Sequence, residues 1–218
     1  MSAPRDPYVA YLRGFFARWS PLYDLFARPI ARAYRAAVRA AGAGPGRQVL
    51  DVCTGTGEIA LRLARRGAQV TAIDFTPAML LRARGKARGS GLRLLEMDAR
   101  RLGFADRSFD VAVLSFALHD MPAGVRSECL REALRVAREG VVVLDYEPPS
   151  ARWGRRLVTG LLATFETAYL RGFVREGGIA GALRAAGLEG RRVAAPVPGL
   201  CAVFVVKPSG TAARADPA

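Results

Sequence analysis

A glycine-containing segment in the first third of the chain has the residues that a ligand-binding turn needs. It reads LDVCTGTGE over residues 50–58 and follows a short apolar run. Small residues let a ligand approach the backbone closely. A helix starting directly after the segment would offer free N–H groups to an anionic group. The pattern predicts a site for a carboxylate or a pyrophosphate, and a tight strand-to-helix turn without a ligand is the alternative. The candidate binding residues are Asp51, Cys53, Thr54, Gly55 and Gly57.

Two further carboxylates follow predicted strands. Asp74 ends the second strand, about 20 residues after the glycine segment, where a carboxylate can accept hydrogen bonds from both ribose hydroxyls. Asp98 follows the third strand and can accept a hydrogen bond from an adenine amine. Together these positions predict a nucleoside site, although each aspartate could instead cap a helix or face solvent. The neighbouring candidates are Phe75 and Met79, which could pack on the base or belong to the core, with Ala99 next to Asp98 and Ser115 at the end of the fourth strand.

The chain has one histidine, His119, and it precedes Asp120 after the fourth strand. An imidazole titrates near neutral pH and can serve as a general base. We predict that His119 touches or deprotonates a substrate and that Asp120 orients the ring. A purely structural histidine–aspartate pair is an equally weighted alternative.

These residues must be positioned by alternating strands and helices. Continuous apolar strands separated by amphipathic helices indicate a parallel sheet covered on both faces. Thr76-Pro77 has the pattern of a helix start. Near the end, two strand-like runs flank Pro198-Gly199 and suggest a hairpin. The predicted strands are 48–52, 69–74, 92–97, 109–116, 140–145, 191–197 and 200–206, and the predicted helical regions are 58–66, 76–87, 122–138 and 152–186.

Composition favours one domain. The chain has 218 residues, of which 51% are hydrophobic and 24% charged, as in ordinary globular proteins. No apolar run is long enough to span a bilayer, and no export signal begins the sequence, so we expect a cytoplasmic protein. Cys53, Cys129 and Cys201 are widely separated, which argues against a disulfide framework or a metal site. We predict an N-terminal helical arm over residues 1–44 that covers the active site, a core over 45–207 and a flexible tail over 208–218.

The motifs carry a family resemblance. The segments VLDVCTGTGEIALRLA, AIDFTPAML, EMDARRLGFADRSFDVAVLSFALHDMP and EALRVAREGVVVLDYEPP resemble those of the class I S-adenosylmethionine-dependent methyltransferases. Within that class they are most similar to the ubiquinone/menaquinone-biosynthesis C-methyltransferases and their relatives. The resemblance spans residues 49–148. It implies a Rossmann-like α/β fold with a seven-stranded, mostly parallel sheet, an antiparallel terminal strand and helices on both faces.

The resemblance also implies a cofactor and a reaction. S-adenosyl-L-methionine would be bound, a methyl group transferred to a small-molecule or lipid-like acceptor such as a quinol ring carbon, and S-adenosyl-L-homocysteine released. By position, Thr54, Gly55 and Gly57 would line the methionine end, and Tyr23 in the arm would approach the cofactor. The chain departs from the quinone enzymes at Cys53, where many relatives have glycine or alanine, and around residues 116–121, so the quinone acceptor is less strongly implied than methyl transfer.

Three alternatives stay open. An NAD-dependent oxidoreductase shares the glycine turn and Asp74, but the third glycine of the dinucleotide motif is missing. A phospholipid N-methyltransferase is suggested by the basic arm, where Arg28, Arg32, Arg35 and Arg39 form one stripe. The third alternative is a non-catalytic nucleic-acid-binding protein, which the net charge of +14 permits. The same charge would also permit peripheral contact with an anionic membrane. We expect no nucleic-acid partner, since no RNA-binding aromatic motif or separate module occurs.

Overall fold

The computed structural model describes residues 6–27, 30–147 and 167–208, together with the isolated positions 149 and 160. It contains a seven-stranded sheet in the order β3-β2-β1-β4-β5-β7-β6. The first five strands are parallel, and β7 runs antiparallel to both β5 and β6. The predicted Rossmann-like fold class and the terminal hairpin are therefore confirmed. The strands are β1 (Gln48–Val52), β2 (Gln69–Asp74), β3 (Arg93–Glu96), β4 (Val111–Ser115), β5 (Val141–Tyr146), β6 (Gly190–Val197) and β7 (Cys201–Val206).

Helices pack on both faces of this sheet because its central strands are apolar on both sides, with β4 and β5 almost wholly buried. One apolar core lies beneath α1, α5, α6 and α7, and a second lies beneath α2 and α3. A short 3₁₀ helix, Leu118–Asp120, follows β4. The helices are α1 (Pro7–Ala27), α2 (Ala31–Ala40), α3 (Glu58–Ala64), α4 (Pro77–Lys86), α5 (Ala123–Val136), α6 (Leu170–Arg175) and α7 (Gly178–Ala185).

The predicted helical region 152–186 differs from the structure where it is described. Residues 170–185 form two helices, not one, because Gly177 and Gly178 adopt left-handed backbone angles, with φ of 97° and 64°, that end the first helix. Most of residues 152–166 and the predicted tail lie outside the described residues. Thr76 precedes α4 as predicted, but its side chain makes no capping hydrogen bond.

The N-terminal arm forms two helices with different surroundings. α1 packs against α4, whereas α2 lies against α3 and the β5, β6 and β7 strands. Tyr34 and Ala37 of α2 are buried in the second core, while Arg35 and Arg39 are exposed. The apolar face of α2 therefore packs against its own domain. Arg28 of the predicted basic stripe lies outside the described residues. No helix in the described part of the chain is long and apolar enough to cross a membrane.

Candidate functional site

The glycine turn after β1 is held by hydrogen bonds on both of its sides. The Thr54 N–H donates to the Ile73 carbonyl at 2.8 Å, and the Thr54 hydroxyl donates to Asp51 at 2.6 Å. The Gly57 N–H closes the turn on the Thr54 carbonyl at 2.9 Å. Positive φ values occur at Cys53 (57°), Gly55 (55°) and Gly57 (84°). The turn is thus a fixed, tightly folded platform at the start of α3, the arrangement that suits an anionic group.

Asp51 is fully buried beneath this turn. The pKa of its carboxyl group is raised to about 7, chiefly by burial and also by the nearby charge of Asp74, while the Thr54 hydroxyl opposes the shift. Asp51 does not line the cavity described below. Its observed contact is with the turn, so it supports the platform from the core.

Asp74 braces the same turn from β2. One carboxylate oxygen accepts the Gly55 N–H at 2.9 Å, and the other accepts the Thr76 N–H at 2.8 Å. Burial raises the pKa of Asp74, although these two backbone donors oppose the shift. A carboxylate has about four acceptor sites. Asp74 therefore keeps acceptor capacity for ligand hydroxyl groups while it fixes the turn.

A partly open cavity lies beside the turn. Its walls come from α1, from the glycine turn and start of α4, and from the segment after β4. Seven predicted site residues line it: Tyr23, Cys53, Gly55, Asp74, Phe75, Met79 and Asp120. Seven other predicted residues do not: Asp51, Thr54, Gly57, Asp98, Ala99, Ser115 and His119.

Sequence reasoning missed most of the wall that α1 supplies. Tyr8, Leu12 and Phe16 line the cavity and recur every four residues, which places them on one face of the helix. That period was the available signal, and it was obscured because an apolar stripe on a helix usually marks core packing. The other lining residues that were not predicted are Thr76, Phe116, Ala117 and Met121.

Asp98 lies outside the cavity wall and is engaged by an arginine. Arg100 binds it through Nε and Nη2, at 3.0 and 2.7 Å to Oδ2, and donates to Asp6 at 2.6 Å. Burial alone would raise the pKa of Asp98, but the hydrogen bonds and charge of Arg100 hold it below its usual value. The guanidinium of Arg100 also lies 5.8 Å from the ring centre of Tyr8. Asp98 therefore ties α1 to the end of β3.

His119 and Asp120 lie at the inner end of the cavity, in the 3₁₀ helix. Asp120 lines the cavity, whereas His119 lies behind it and is 2% exposed. His119 Nδ1 is 2.7 Å from Asp145, a buried residue of β5 that sequence reasoning did not select. Asp120 is 3.4 Å from His119 Nε2. The partner that orients the ring at hydrogen-bonding distance is thus Asp145, and the pocket-facing group is Asp120.

In the described part of the chain, no three histidine, cysteine, aspartate or glutamate side chains are grouped so that they could hold a metal ion. The site instead combines an anion-binding turn, two carboxylates beside it, aromatic walls and one acid–base cluster. These groups have the chemistry to contact an anionic group, hydroxyl groups and an apolar ring.

Comparison with known proteins agrees with this arrangement. Residues 49–140 match the family described as "Methyltransferase domain". A demethylmenaquinone methyltransferase of Thermus thermophilus is 39% identical over 145 residues, covering 62% of this chain and 65% of that protein. The ubiquinone/menaquinone biosynthesis C-methyltransferase UbiE of Geobacter sp. is 34% identical over 153 residues, with 64% of each chain covered. The chain therefore spans just under two thirds of the length of these curated relatives.

The fold also has solved relatives. The magnesium protoporphyrin IX methyltransferase of Synechocystis, solved with bound S-adenosylhomocysteine, superposes with a TM-score of 0.66 at 18% identity and covers 92% of this chain and 100% of that one. Residues 49–140 therefore match a methyltransferase domain, and the chain has the same fold as this solved methyltransferase. The curated relatives include demethylmenaquinone and ubiquinone/menaquinone biosynthesis methyltransferases, as the motifs predicted.

Proposed function

We propose that this protein transfers the methyl group of S-adenosylmethionine to a small, lipid-like acceptor with a quinol-type ring. The observation that carries the proposal is the glycine turn whose Gly55 N–H is fixed by Asp74 at the edge of an aromatic-walled cavity. The motif order and the methyltransferase names of the relatives support the reaction class. The NAD-dependent oxidoreductase and phospholipid N-methyltransferase alternatives gain no support from the same comparisons.

In the proposed complex, Thr54, Gly55 and Gly57 lie along the methionine end of the cofactor, and Asp74 accepts the ribose hydroxyls. Phe75 and Met79 pack on the adenine, with Asp98 and Ala99 at its edge and Ser115 below the methyl donor. The sulfonium is itself a strong electrophile, so the protein's main task is to align the acceptor with the methyl group and exclude water. The product would be S-adenosylhomocysteine.

The space left for the acceptor lies between α1 and the segment after β4. Leu12, Phe16 and Met121 make its walls apolar, and Asp120 supplies a polar group. Such lining favours a flat, largely uncharged ring over a charged headgroup. In this proposal residues 1–44 act as the covering arm and residues 45–207 as the catalytic core.

The cofactor class is tested by melting curves with S-adenosylmethionine, S-adenosylhomocysteine and NAD. A ligand that binds only the native state raises the melting temperature, so we expect the first two to raise it and NAD to leave it unchanged. Methyl transfer is then followed with radiolabelled cofactor to reduced demethylmenaquinone carrying a short prenyl chain, with phosphatidylethanolamine vesicles as the competing acceptor. Stabilisation by NAD alone would contradict the proposal.

We further propose that the protein binds an anionic membrane surface by electrostatic attraction alone and takes its lipid-like acceptor from that surface. The apolar face of α2 packs inside the domain, which leaves Arg35 and Arg39 exposed for contact with lipid headgroups. Flotation with phosphatidylglycerol vesicles should show binding that disappears at high salt. Binding that persists at high salt would point to insertion, and no binding at low salt would dismiss the contact.

A further inference from the structure

Three acid–base side chains form a continuous row from the core to the cavity. Asp145 Oδ1 lies 2.7 Å from His119 Nδ1, and Asp120 Oδ2 lies 3.4 Å from His119 Nε2. Asp145, His119 and Asp120 are 0%, 2% and 5% exposed, and Asp120 lines the cavity. One end of the row, Asp145, is therefore buried in β5, and the other end, Asp120, faces the cavity.

Asp145 fixes which ring nitrogen carries the proton. Its Oδ2 accepts the Leu118 N–H at 2.8 Å and the His119 N–H at 3.3 Å, while Oδ1 accepts the Tyr146 N–H at 2.7 Å. A carboxylate so placed accepts a proton donor on Nδ1. The neutral imidazole then carries its proton on Nδ1 and presents the lone pair of Nε2 toward Asp120.

The surroundings of the ring are apolar. The centre of the Tyr146 ring lies 4.7 Å from that of His119, and the Phe116 and Phe173 rings lie at 6.5 and 6.4 Å. Water is kept from the imidazole by these contacts. Electrostatic interactions within the row are correspondingly stronger than in solvent.

Arg126 anchors the turn that carries the row. Its side chain is 3% exposed, and Nε donates to the Leu118 carbonyl at 3.0 Å and to the Met121 carbonyl at 2.8 Å. Arg126 is itself paired with Glu176 of the segment after α6. The carbonyls on both sides of Asp120 are therefore held, which fixes where its carboxylate meets the cavity.

We propose that Asp120 is the group that removes the acceptor's proton, that His119 stores this proton, and that Asp145 is a positioning residue. The proposal rests on the proposed methyl transfer. The acceptor's O–H bond breaks as its electron pair makes the ring a better nucleophile, and a ring carbon forms the new bond to the methyl group. The methyl–sulfur bond breaks with its electron pair on sulfur, giving the thioether. The hydroxyl proton passes to Asp120 and on to His119 Nε2. After methylation the ring carbon loses its proton to solvent, the electron pair of that C–H bond restores the aromatic ring, and the stored proton returns from His119 through Asp120 to the oxygen, so that one proton is released for each methyl group transferred.

This assignment reverses the roles that the sequence suggested. His119 was predicted to touch the acceptor with Asp120 orienting it, whereas the cavity is lined by Asp120 and the ring is oriented by Asp145. Because consecutive residues of the 3₁₀ helix point in different directions, the order of the two side chains could not be read from their order in the chain.

The decisive experiment compares Asp120→Asn, Asp120→Glu and His119→Gln in the full chain, with reduced short-prenyl demethylmenaquinone as acceptor. We expect Asp120→Asn and His119→Gln to lower kcat by on the order of 10²- to 10⁴-fold, the contribution typical of general base catalysis, with little change in KM. Asp120→Glu should recover part of kcat. The affinity for S-adenosylhomocysteine, measured by calorimetry, should stay within about threefold of the wild type, which shows that the variants fold.

Asp106→Asn is the matched control, since Asp106 is a largely exposed carboxylate that binds Arg135 away from the cavity. It should leave both kcat and affinity unchanged. If the wild-type protein fails to bind S-adenosylhomocysteine or to methylate the probe, the proposed function fails and the relay with it. If the wild type is active and Asp120→Asn keeps its kcat, or loses cofactor affinity instead, the relay alone is overturned.

A second measurement does not depend on the acceptor. His119 is the sole histidine, so ¹⁵N-labelled histidine gives one pair of ring signals. We expect the tautomer protonated on Nδ1 in the wild type and its loss in Asp145→Asn, while cofactor binding persists. Protonation on Nε2 in the resting wild type, either alone or together with Nδ1, would overturn the relay, because Nε2 could not then accept the acceptor's proton.

Discussion

At the scale of single residues, the binding turn carries backbone strain at a position occupied by a side chain. Cys53 has a φ of 57°, in the left-handed region that glycine adopts without steric cost. Its side chain lines the cavity. Because cysteine is small and not β-branched, this backbone angle costs it less than it would cost a β-branched residue.

We expect Cys53→Val to destabilise the protein by about 1–3 kcal/mol, because a β-branched residue fits the left-handed conformation poorly. Cys53→Gly should stay within about 1 kcal/mol of the wild type, since relief of strain offsets lost packing and greater freedom of the unfolded chain. Urea unfolding of the two variants measures the difference. Equal stability of both variants would contradict the assigned strain.

Asp51 makes stability depend on pH. Its pKa is raised to about 7 in the folded protein, whereas an unfolded chain titrates it near about 4. Between these values the folded state binds more protons, so the free energy of unfolding should fall as pH rises from about 4 to about 7 and level off above. Asp74, whose pKa is also raised, adds a change of the same sign.

The variant Asp51→Asn should flatten part of that fall, because the amide does not titrate. Unfolding midpoints in urea across this pH window provide the measurement. Asp106→Asn, an exposed control, should keep the slope of the wild type. A slope in Asp51→Asn as steep as in the wild type would show that other groups cause it.

Much of the site at this scale was predictable. The turn follows β1, and Asp74, at the end of β2, is followed by Phe75 and Met79, so local spacing places all of them where these two strands end at the cavity. The position of Asp98 did not reveal its surroundings, because its partner Arg100 also binds Asp6, which lies 94 residues before Arg100 in the sequence. Asp145 ends the predicted fifth strand as Asp74 ends the second, but the sequence did not show that its partner would be His119, 26 residues away.

At the scale of elements, ion pairs hold the first half of α1 against the ends of β2 and β3. Asp6 accepts a hydrogen bond from Arg100. Arg13 donates to Glu96 at 2.7 Å and to the Phe75 carbonyl at 3.1 Å. Partly exposed ion pairs are individually weak. The docking therefore depends on Arg100, which joins Asp6 to Asp98 and also contacts the Tyr8 ring.

We expect Arg100→Gln to loosen α1, so that its amide hydrogens exchange on the order of tenfold faster while those of β4 and β5 are unchanged. Arg47→Gln is the matched control, because it removes a similar ion pair, with Glu139, far from α1. Hydrogen–deuterium exchange by mass spectrometry resolves both regions. Unchanged exchange of α1 in Arg100→Gln would mean that its apolar contacts alone hold it.

The element boundaries agree with the sequence wherever pattern and turn chemistry act together. β1, β2 and β5 begin and end within one residue of their predicted limits. β4 begins two residues later than predicted, because Phe109 leaves the strand to make an isolated bridge with Ala137. Hydrophobic periodicity locates an apolar run, but it does not show at which residue the strand changes its hydrogen-bonding partner.

At the scale of the whole molecule, the antiparallel hairpin closes the sheet and is fitted to it closely. β7 pairs along the whole of β5, from Val141 opposite Val206 to Tyr146 opposite Cys201. At the start of this contact Gly140 has a φ of 130°, and a Cβ there would lie 2.1 Å from the Val206 carbonyl oxygen. The backbone approach is possible only for glycine.

Gly140→Ala should therefore destabilise the whole domain by about 3 kcal/mol or more, since the clash is with backbone and the conformation is strained. Gly124→Ala is the matched control: Gly124 lies in α5 with nothing within 4 Å of its would-be Cβ. It should be neutral or stabilising by up to about 1 kcal/mol. Chemical denaturation of both variants checks this, and equal effects would refute the role assigned to Gly140.

The cavity is completed by α1, whose Tyr8, Leu12, Phe16 and Tyr23 form one wall. Its shape consequently exists only while that helix is in place. If the proposed reactants bind here, both rest against this one helix, so a chain with a looser first helix would release its nucleoside faster and hold both reactants more weakly.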